Sequence, residues 1–205
     1  TRSRAAPRVR PAPRPFRRGA QGEALPTPGR RNAAAGGLDL PHAGSGKTKL
    51  TAIYLDDRNL PCLWYQCDAG DADPATFFYC LGAAARQAAP RQRRPMPLLT
   101  PEYLPDVATF ALRYFEQLFE RLGPAPVLVL DNYQDVPKEA PLHAALQKGL
   151  AAIPSGARVI ILSRHLPPPA FARFRTHGQM AVIGWEDLRL TLAEARALVR
   201  ARGER

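Results

Sequence analysis

The sequence predicts an α/β domain in which a parallel sheet of about five strands carries helices on both faces. From about residue 44 onward, short apolar runs alternate with helical patterns, which is typical of a parallel sheet covered by helices. The segment 44 to 48 (GSGKT) leads directly into the first helical pattern, and the apolar run 127 to 130 ends at Asp131. A length of 205 residues, 45% of them hydrophobic, fits one such domain with one core.

The elements follow from apolar spacing and from helix start and stop signals. Asp73 is expected to cap one helix, and Thr191 with Glu194 forms a capping box for the last. The predicted helices cover residues 45 to 57, 74 to 88, 105 to 122, 142 to 153, 169 to 176 and 192 to 201. The predicted strands cover residues 62 to 66, 127 to 130, 158 to 162 and 180 to 183.

Most of the positive charge lies at the N-terminus. Residues 1 to 37 contain nine arginines and one acid, so they hold eight of the eleven net charges and leave three for the rest. We expect residues 1 to 42 to be a disordered Arg/Pro-rich segment because it has too little apolar surface to offset its ordering entropy. The alternative is that this segment is a basic arm that binds nucleic acid. The composition of the globular part does not predict a basic nucleic-acid-binding face there.

A phosphate-binding loop normally follows a buried strand, and residues 33 to 42 stand at the position of that strand. They contain no β-branched residue and two consecutive glycines, so we expect the central strand to be missing. Arg, Pro, Ala and Gly are also the residues that GC-rich codons yield in a wrong frame. We therefore hypothesise that residues 1 to about 42 are not the natural upstream sequence. Translating the other frames upstream of the Gly44 codon tests this.

The segment GSGKT has the composition of a P-loop. Gly44, Ser45 and Gly46 allow consecutive backbone N–H groups to converge on a polyphosphate, and the helix N-terminus adds partial positive charge. Lys47 is expected to reach the β- and γ-phosphates of ATP, and the Thr48 hydroxyl to ligate Mg²⁺. The alternative interpretation is a glycine-rich turn with an exposed lysine.

The apolar run that ends at Asp131 matches a Walker B strand. Its burial would fix the carboxylate beside the P-loop, where it can hold the Mg²⁺ hydration shell. Asn132 follows where many P-loop ATPases have a glutamate that polarises the attacking water, and an amide cannot act as that base. Asp135 could supply a base, although a turn aspartate is the commoner role.

The run 158 to 162 ends in Ser163 and Arg164. A cation at this strand end could contact the γ-phosphate and sense its presence, although such an arginine can also be a solvated surface residue. Three cysteines lie within one predicted strand-loop-helix segment and four histidines are scattered along the chain. Neither set has metal-ligand spacing, so we expect reduced thiols and a cytoplasmic location. No stretch is long and apolar enough to suggest a membrane span.

Five separated blocks resemble the ATPase module of the STAND class of P-loop ATPases, over roughly residues 43 to 202. Within that class they are most similar to the large bacterial regulators of the maltose-activator, LuxR-related type. The blocks are residues 63 to 84, 97 to 115, 127 to 137, 159 to 174 and 183 to 198.

This resemblance implies a P-loop NTPase three-layer sandwich that switches between ATP-bound and ADP-bound forms, with slow hydrolysis. It implies Mg²⁺ as the metal, self-association in the ATP state, and DNA contacts made only by domains outside this sequence. A winged-helix segment and a helical-repeat sensor would follow residue 205. Pro41 stands where relatives have a small residue, His42 where they have proline, and Lys49 where many have a second threonine. Pro41 removes an N–H near the phosphates.

The sequence-based interpretation is therefore a nucleotide-controlled switch and a weak ATPase, using Gly44, Ser45, Gly46, Lys47 and Thr48 for phosphate, Thr48 and Asp131 for Mg²⁺, and Arg164 for sensing. Two alternatives remain open. One is a degenerate interaction module of the same fold that binds nucleotide poorly. The other is a nucleic-acid-binding protein that acts through its basic N-terminal arm.

Overall fold

A computed structural model of the protein describes residues 46 to 92 and 94 to 188, together with the backbone of residues 35 to 39. The expected helix over residues 192 to 201 and its capping box lie outside the described residues. The helices are α1 (Lys47–Asp57), α2 (Pro74–Ala88), α3 (Val107–Leu122), α4 (Leu142–Gly149), α5 (Ala172–Thr176) and α6 (Trp185–Leu188). The strands are β1 (Ala35–Asp39), β2 (Cys62–Gln66), β3 (Val127–Asp131), β4 (Arg158–Ser163) and β5 (Met180–Ile183).

The described strands form a parallel sheet in the order β2-β3-β4-β1-β5. Successive side chains of a strand alternate between the two faces of the sheet. One face of β3 packs with α1 through Val127, Val129 and Leu55. The other face packs against α2, α3 and α4 through an aromatic cluster that includes Phe78 and Phe115. The α/β class and the parallel sheet predicted from the sequence are therefore confirmed.

The expectation that no strand precedes the segment 44 to 48 is wrong. Residues Ala35–Asp39 form β1, which pairs in parallel with β4 on one side and β5 on the other. Two neighbouring strands supply hydrogen bonds to both edges of its backbone. Such pairing outweighs intrinsic strand propensities, which span only about 1 kcal/mol and depend strongly on context.

Helix boundaries differ from the sequence prediction by a few residues. Helix α3 begins at Val107 because the Asp106 carboxylate accepts a hydrogen bond from the Thr109 N–H at 2.9 Å and caps the helix there. Helix α4 ends at Gly149, and a 3₁₀ turn follows over Leu150–Ala152. None of the helices in the described part is long and apolar enough to cross a membrane.

Candidate functional site

The carboxyl ends of the parallel strands meet at one edge of the sheet. The register pairs Gln66 of β2 with Asp131 of β3, and Asp39 of β1 with Ser163 of β4. In open α/β sheets, ligands bind in the crevice beyond this edge. Residues at the strand ends and in the loops that follow are therefore the candidates for a binding site.

Thr48 and Asp131 meet at this edge. The Thr48 hydroxyl donates to the Asp131 carboxylate, with oxygen distances of 3.2 and 3.3 Å. Asp131 is only 7% exposed, and its Oδ1 also accepts the Asn132 N–H at 2.9 Å. The strand end thus holds the Asp131 carboxylate against the first turn of α1, next to the other residue that was predicted as a Mg²⁺ ligand.

Gly46 and Lys47 form the start of α1. Gly46 is the N-cap and has a φ of 75°, a left-handed conformation that glycine adopts at no steric cost. Lys47 is the first residue of the helix and is 8% exposed, whereas the adjacent Lys49 is exposed. The first turn therefore buries the lysine that the P-loop pattern selects and leaves its neighbour in solvent.

Part of the predicted loop lies outside the described residues. Gly44 and Ser45, which were assigned to phosphate binding, fall in the segment 40 to 45 between β1 and Gly46. Pro41 and His42 fall there as well.

Arg164 directly follows β4, next to the strand that ends at Asp131. Its side chain is exposed, and its backbone N–H donates to Oε1 of Gln134 at 3.2 Å. Ser163 is buried at the strand end, where its Oγ accepts the His165 N–H at 3.0 Å. The arginine predicted as a sensor thus follows a strand that ends at the same sheet edge as Asp131, and its side chain is exposed.

The turn after β3 carries the residues considered as a base. Asn132 adopts a left-handed conformation with a φ of 56°, and a 3₁₀ turn over Tyr133–Asp135 follows it. The exposed Asp135 carboxylate accepts a hydrogen bond from Nε2 of Gln134 at 3.2 Å. This contact gives Asp135 a role in holding the turn.

The loop after β2, residues 67 to 73, holds a buried carboxylate that no sequence pattern indicated. Asp71 is 2% exposed and accepts a hydrogen bond from the Tyr65 hydroxyl at 2.7 Å. Burial raises the pKa of Asp71. The pKa of Tyr65 is also raised, mainly by burial and secondly by its hydrogen bond to Asp71. The predicted cap is confirmed, since Asp73 accepts the N–H groups of Ala75 and Thr76.

The same loop contacts the end of β3 through Cys67. Its backbone N–H donates to the Asp131 carbonyl at 2.8 Å. Burial raises the pKa of the Cys67 thiol, so the thiol stays protonated. Cys62 and Cys80 are half-buried, and all three cysteines are free.

The two oxygen donors at this edge, the Asp131 carboxylate and the Thr48 hydroxyl, suit Mg²⁺ better than a metal ion whose ligands all come from the protein. Within residues 46 to 92 and 94 to 188, no three His, Cys, Asp or Glu side chains come together as a metal-binding cluster. Mg²⁺ needs only one or two carboxylates because it keeps several waters and takes further oxygens from phosphates. The Asp131 carboxylate and the Thr48 hydroxyl fit that requirement.

Comparison with known proteins shows that the chain is similar to bacterial regulators of transcription. No protein-family profile matches the chain. The chain is 32% identical over 155 residues to the HTH-type transcriptional regulator MalT of Yersinia enterocolitica. It is 31% identical over 157 residues to the regulators of the same name from Cronobacter sakazakii and Serratia proteamaculans. Each match covers 75% of this chain but only 17% of the relative, so the similarity concerns about one sixth of those proteins.

Proposed function

We propose that this chain, a MalT-like sequence over three quarters of its length, is the ATP-binding switch module of a transcriptional regulator. The fold we assign is the P-loop NTPase three-layer sandwich with about five strands. The observation that carries the proposal is the contact between Thr48 and Asp131, because it joins the helix after the P-loop to the end of the Walker B strand. The buried Lys47 next to Thr48 supports it.

Each site residue has one role in this proposal. The P-loop residues Gly44, Ser45 and Gly46 present backbone N–H groups to the phosphates, and Lys47 contacts the β- and γ-phosphates. Thr48 and Asp131 hold Mg²⁺, which would neutralise phosphate charge when bound.

Arg164 would distinguish ATP from ADP. It directly follows β4, the neighbour of the strand that ends at Asp131, and its side chain is exposed. The guanidinium could therefore contact a γ-phosphate, which ADP lacks. Hydrolysis is slow in this scheme because Asn132 stands where an acid would polarise the attacking water. The two nucleotide states would then persist long enough to act as a signal, with self-association in the ATP state.

The proposal extends to the longer relatives only by similarity. Their name describes regulators of transcription with a helix-turn-helix element. We propose that DNA is contacted by such an element outside this sequence, in the cytoplasm, while the module described above reports the nucleotide state.

Isothermal titration of Mg-ATP into the folded chain tests the proposal. Lys47→Ala should abolish measurable binding because the main cation facing the β- and γ-phosphates is lost. Lys49→Ala is a matched control, since it removes an exposed lysine two residues away and should bind as the wild type does. Equal affinity in the wild type and in Lys47→Ala would remove the P-loop interpretation.

A second candidate function is a degenerate interaction module of the same fold. Two residues favour it, namely Pro41, which lacks an N–H near the phosphate cradle, and Asn132, which cannot act as a base. This candidate predicts no heat of binding for either ATP or ADP in the wild-type chain. The same titration therefore separates the two functions.

A further inference from the structure

The turn after β3 is held firmly on both sides of Gln134. Asn132 reverses the chain through its left-handed backbone, and its carbonyl accepts the Asp135 N–H at 2.9 Å. Tyr133 is 3% exposed, stacks on Phe171, and has its hydroxyl 2.6 Å from Nδ1 of His143. The backbone that carries Gln134 is therefore anchored before its side chain makes any contact.

The hydrogen-bond partners of Gln134 determine how its amide is oriented. The backbone N–H of Arg164 can only donate, so it must face the amide oxygen, which lies at 3.2 Å. The Asp135 carboxylate can only accept when it is ionised, so it must face the amide nitrogen, also at 3.2 Å. One side chain thus joins the turn after β3 to the end of β4.

This junction completes a chain of hydrogen bonds across the sheet edge. It begins at the Thr48 hydroxyl, passes to the Asp131 carboxylate, and continues through the Asn132 N–H. Nε2 of Gln134 lies 3.5 Å from Oδ1 of Asn132, which is the longest step, and Oε1 then receives the Arg164 N–H. The helix after the P-loop and the strand-end arginine are therefore connected through Gln134.

We propose that Gln134 is a positioning residue that fixes Arg164 relative to Asp131 and thereby sets the preference of the site for ATP over ADP. The inference rests on the proposed function, because it assigns a geometric support to the γ-phosphate contact of Arg164. Gln134 itself touches no phosphate in this scheme. Its loss should alter discrimination between the nucleotides while leaving ADP binding intact.

Three variants of the full chain test the role by titration of Mg-ATP and Mg-ADP. Gln134→Glu retains a possible acceptor for the Arg164 N–H, but repulsion between the new carboxylate and Asp135 should move that acceptor away from Arg164. It should lower the ratio of ATP to ADP affinity by about fivefold or more, the lower end of typical coupling between sites. Asp135→Asn alone should keep the wild-type ratio, because its amide oxygen still accepts from Gln134. Combining both substitutions should restore the ratio, because the amide introduced by Asp135→Asn can donate to the carboxylate introduced by Gln134→Glu.

Hydrogen exchange gives a readout that needs no nucleotide. The Arg164 amide should exchange faster in Gln134→Ala and in Gln134→Glu than in the wild type, and the double variant should recover protection. Circular dichroism and urea unfolding identify any variant that fails to fold. If a single variant fails to fold, the double variant is compared with the wild type instead.

The outcomes separate this inference from the proposed function. If the wild type binds neither nucleotide, the proposed function fails and the positioning role fails with it. If the wild type prefers ATP and Gln134→Glu keeps both that ratio and the Arg164 protection, only the positioning role is overturned. A lowered ratio that Asp135→Asn does not rescue contradicts the pairing described above.

Discussion

The hydroxyl of Thr48 lies 3.2 Å from one carboxylate oxygen of Asp131 and 3.3 Å from the other, although 83 residues separate the two. Thr48 follows Lys47 in the first turn of α1, and Asp131 ends β3, so neither position is explained by local sequence. The fold alone brings these two side chains together.

Replacing Asp131 with asparagine should impair magnesium-dependent turnover. The amide keeps the size of the side chain but lacks the negative charge that holds the Mg²⁺ hydration shell, so we expect a loss of about tenfold or more in the ATPase rate. Phosphate release with and without EDTA measures the effect. Asp56→Asn, on α1 but away from the strand ends, serves as the control. An unchanged magnesium-dependent rate in Asp131→Asn would exclude the metal role.

Replacing Arg164 with alanine should reduce the preference for ATP over ADP and leave ADP binding largely intact. A charge-assisted contact to the γ-phosphate is worth about 1.5 to 3 kcal/mol, which corresponds to a change in the affinity ratio of roughly tenfold to a hundredfold. Arg158→Ala is a matched control, because Arg158 is an exposed arginine at the opposite end of the same strand. If the ratio is unchanged in Arg164→Ala, Arg164 is not the sensor.

The four strands after residue 44 were predictable because each is a short apolar run bounded by turn or loop residues. The apolar run 127 to 130 is buried throughout and ends at Asp131, whose carboxylate contacts Thr48 in the first turn of α1. Helical spacing likewise predicted the helix over residues 105 to 122, and Phe110, Tyr114 and Phe115 on that helix are buried. These features depend on residues close together in sequence, which periodicity can report.

The features that were missed depend on partners distant in sequence. The strand β1 forms because β4 and β5 pair with it, which the glycines of residues 36 and 37 could not indicate. The buried Asp71 needs the Tyr65 hydroxyl of the preceding strand, and Gln134 needs the backbone of Arg164, 30 residues later. No local pattern encodes such pairs, so only the folded chain identifies them.

Gly149 allows α4 to approach α3 closely. A Cβ at this position would lie 2.8 Å from Cε2 of Phe115 and 3.1 Å from the Ala111 carbonyl oxygen. Gly149→Ala should therefore lower the free energy of unfolding by about 1 to 3 kcal/mol, the usual range for overpacking, although alanine favours helix by about 1 kcal/mol. Urea unfolding measures it.

A double variant separates overpacking at Gly149 from other causes. Phe115→Leu removes the ring that meets the new methyl group, so Gly149→Ala should cost less in that background than in the wild type. Equal costs in both backgrounds would show that the ring is not the obstacle.

His143 should make stability depend on pH. It is 5% exposed, and Nε2 donates to the Pro137 carbonyl at 2.8 Å while Nδ1 accepts from the Tyr133 hydroxyl, a pairing that suits the neutral ring. Burial lowers the pKa of His143 in the folded protein, and the Pro137 hydrogen bond and the Glu139 charge offset this only in part. The unfolded chain therefore takes up a proton first as the pH falls.

It follows that this stabilising contribution of His143 is fully present above a pH of about 6.5, the ordinary pKa of histidine, and is lost as the pH falls toward the lower folded-state pKa. Urea unfolding between pH 7.5 and 5 should show a decline in the free energy of unfolding, and His143→Gln should flatten it because glutamine can make both contacts without titrating. His177→Gln, which replaces an exposed histidine, should leave the decline in place. A decline that persists unchanged in His143→Gln must come from other groups, and the buried pair of His143 and Tyr133 would then have no part in it.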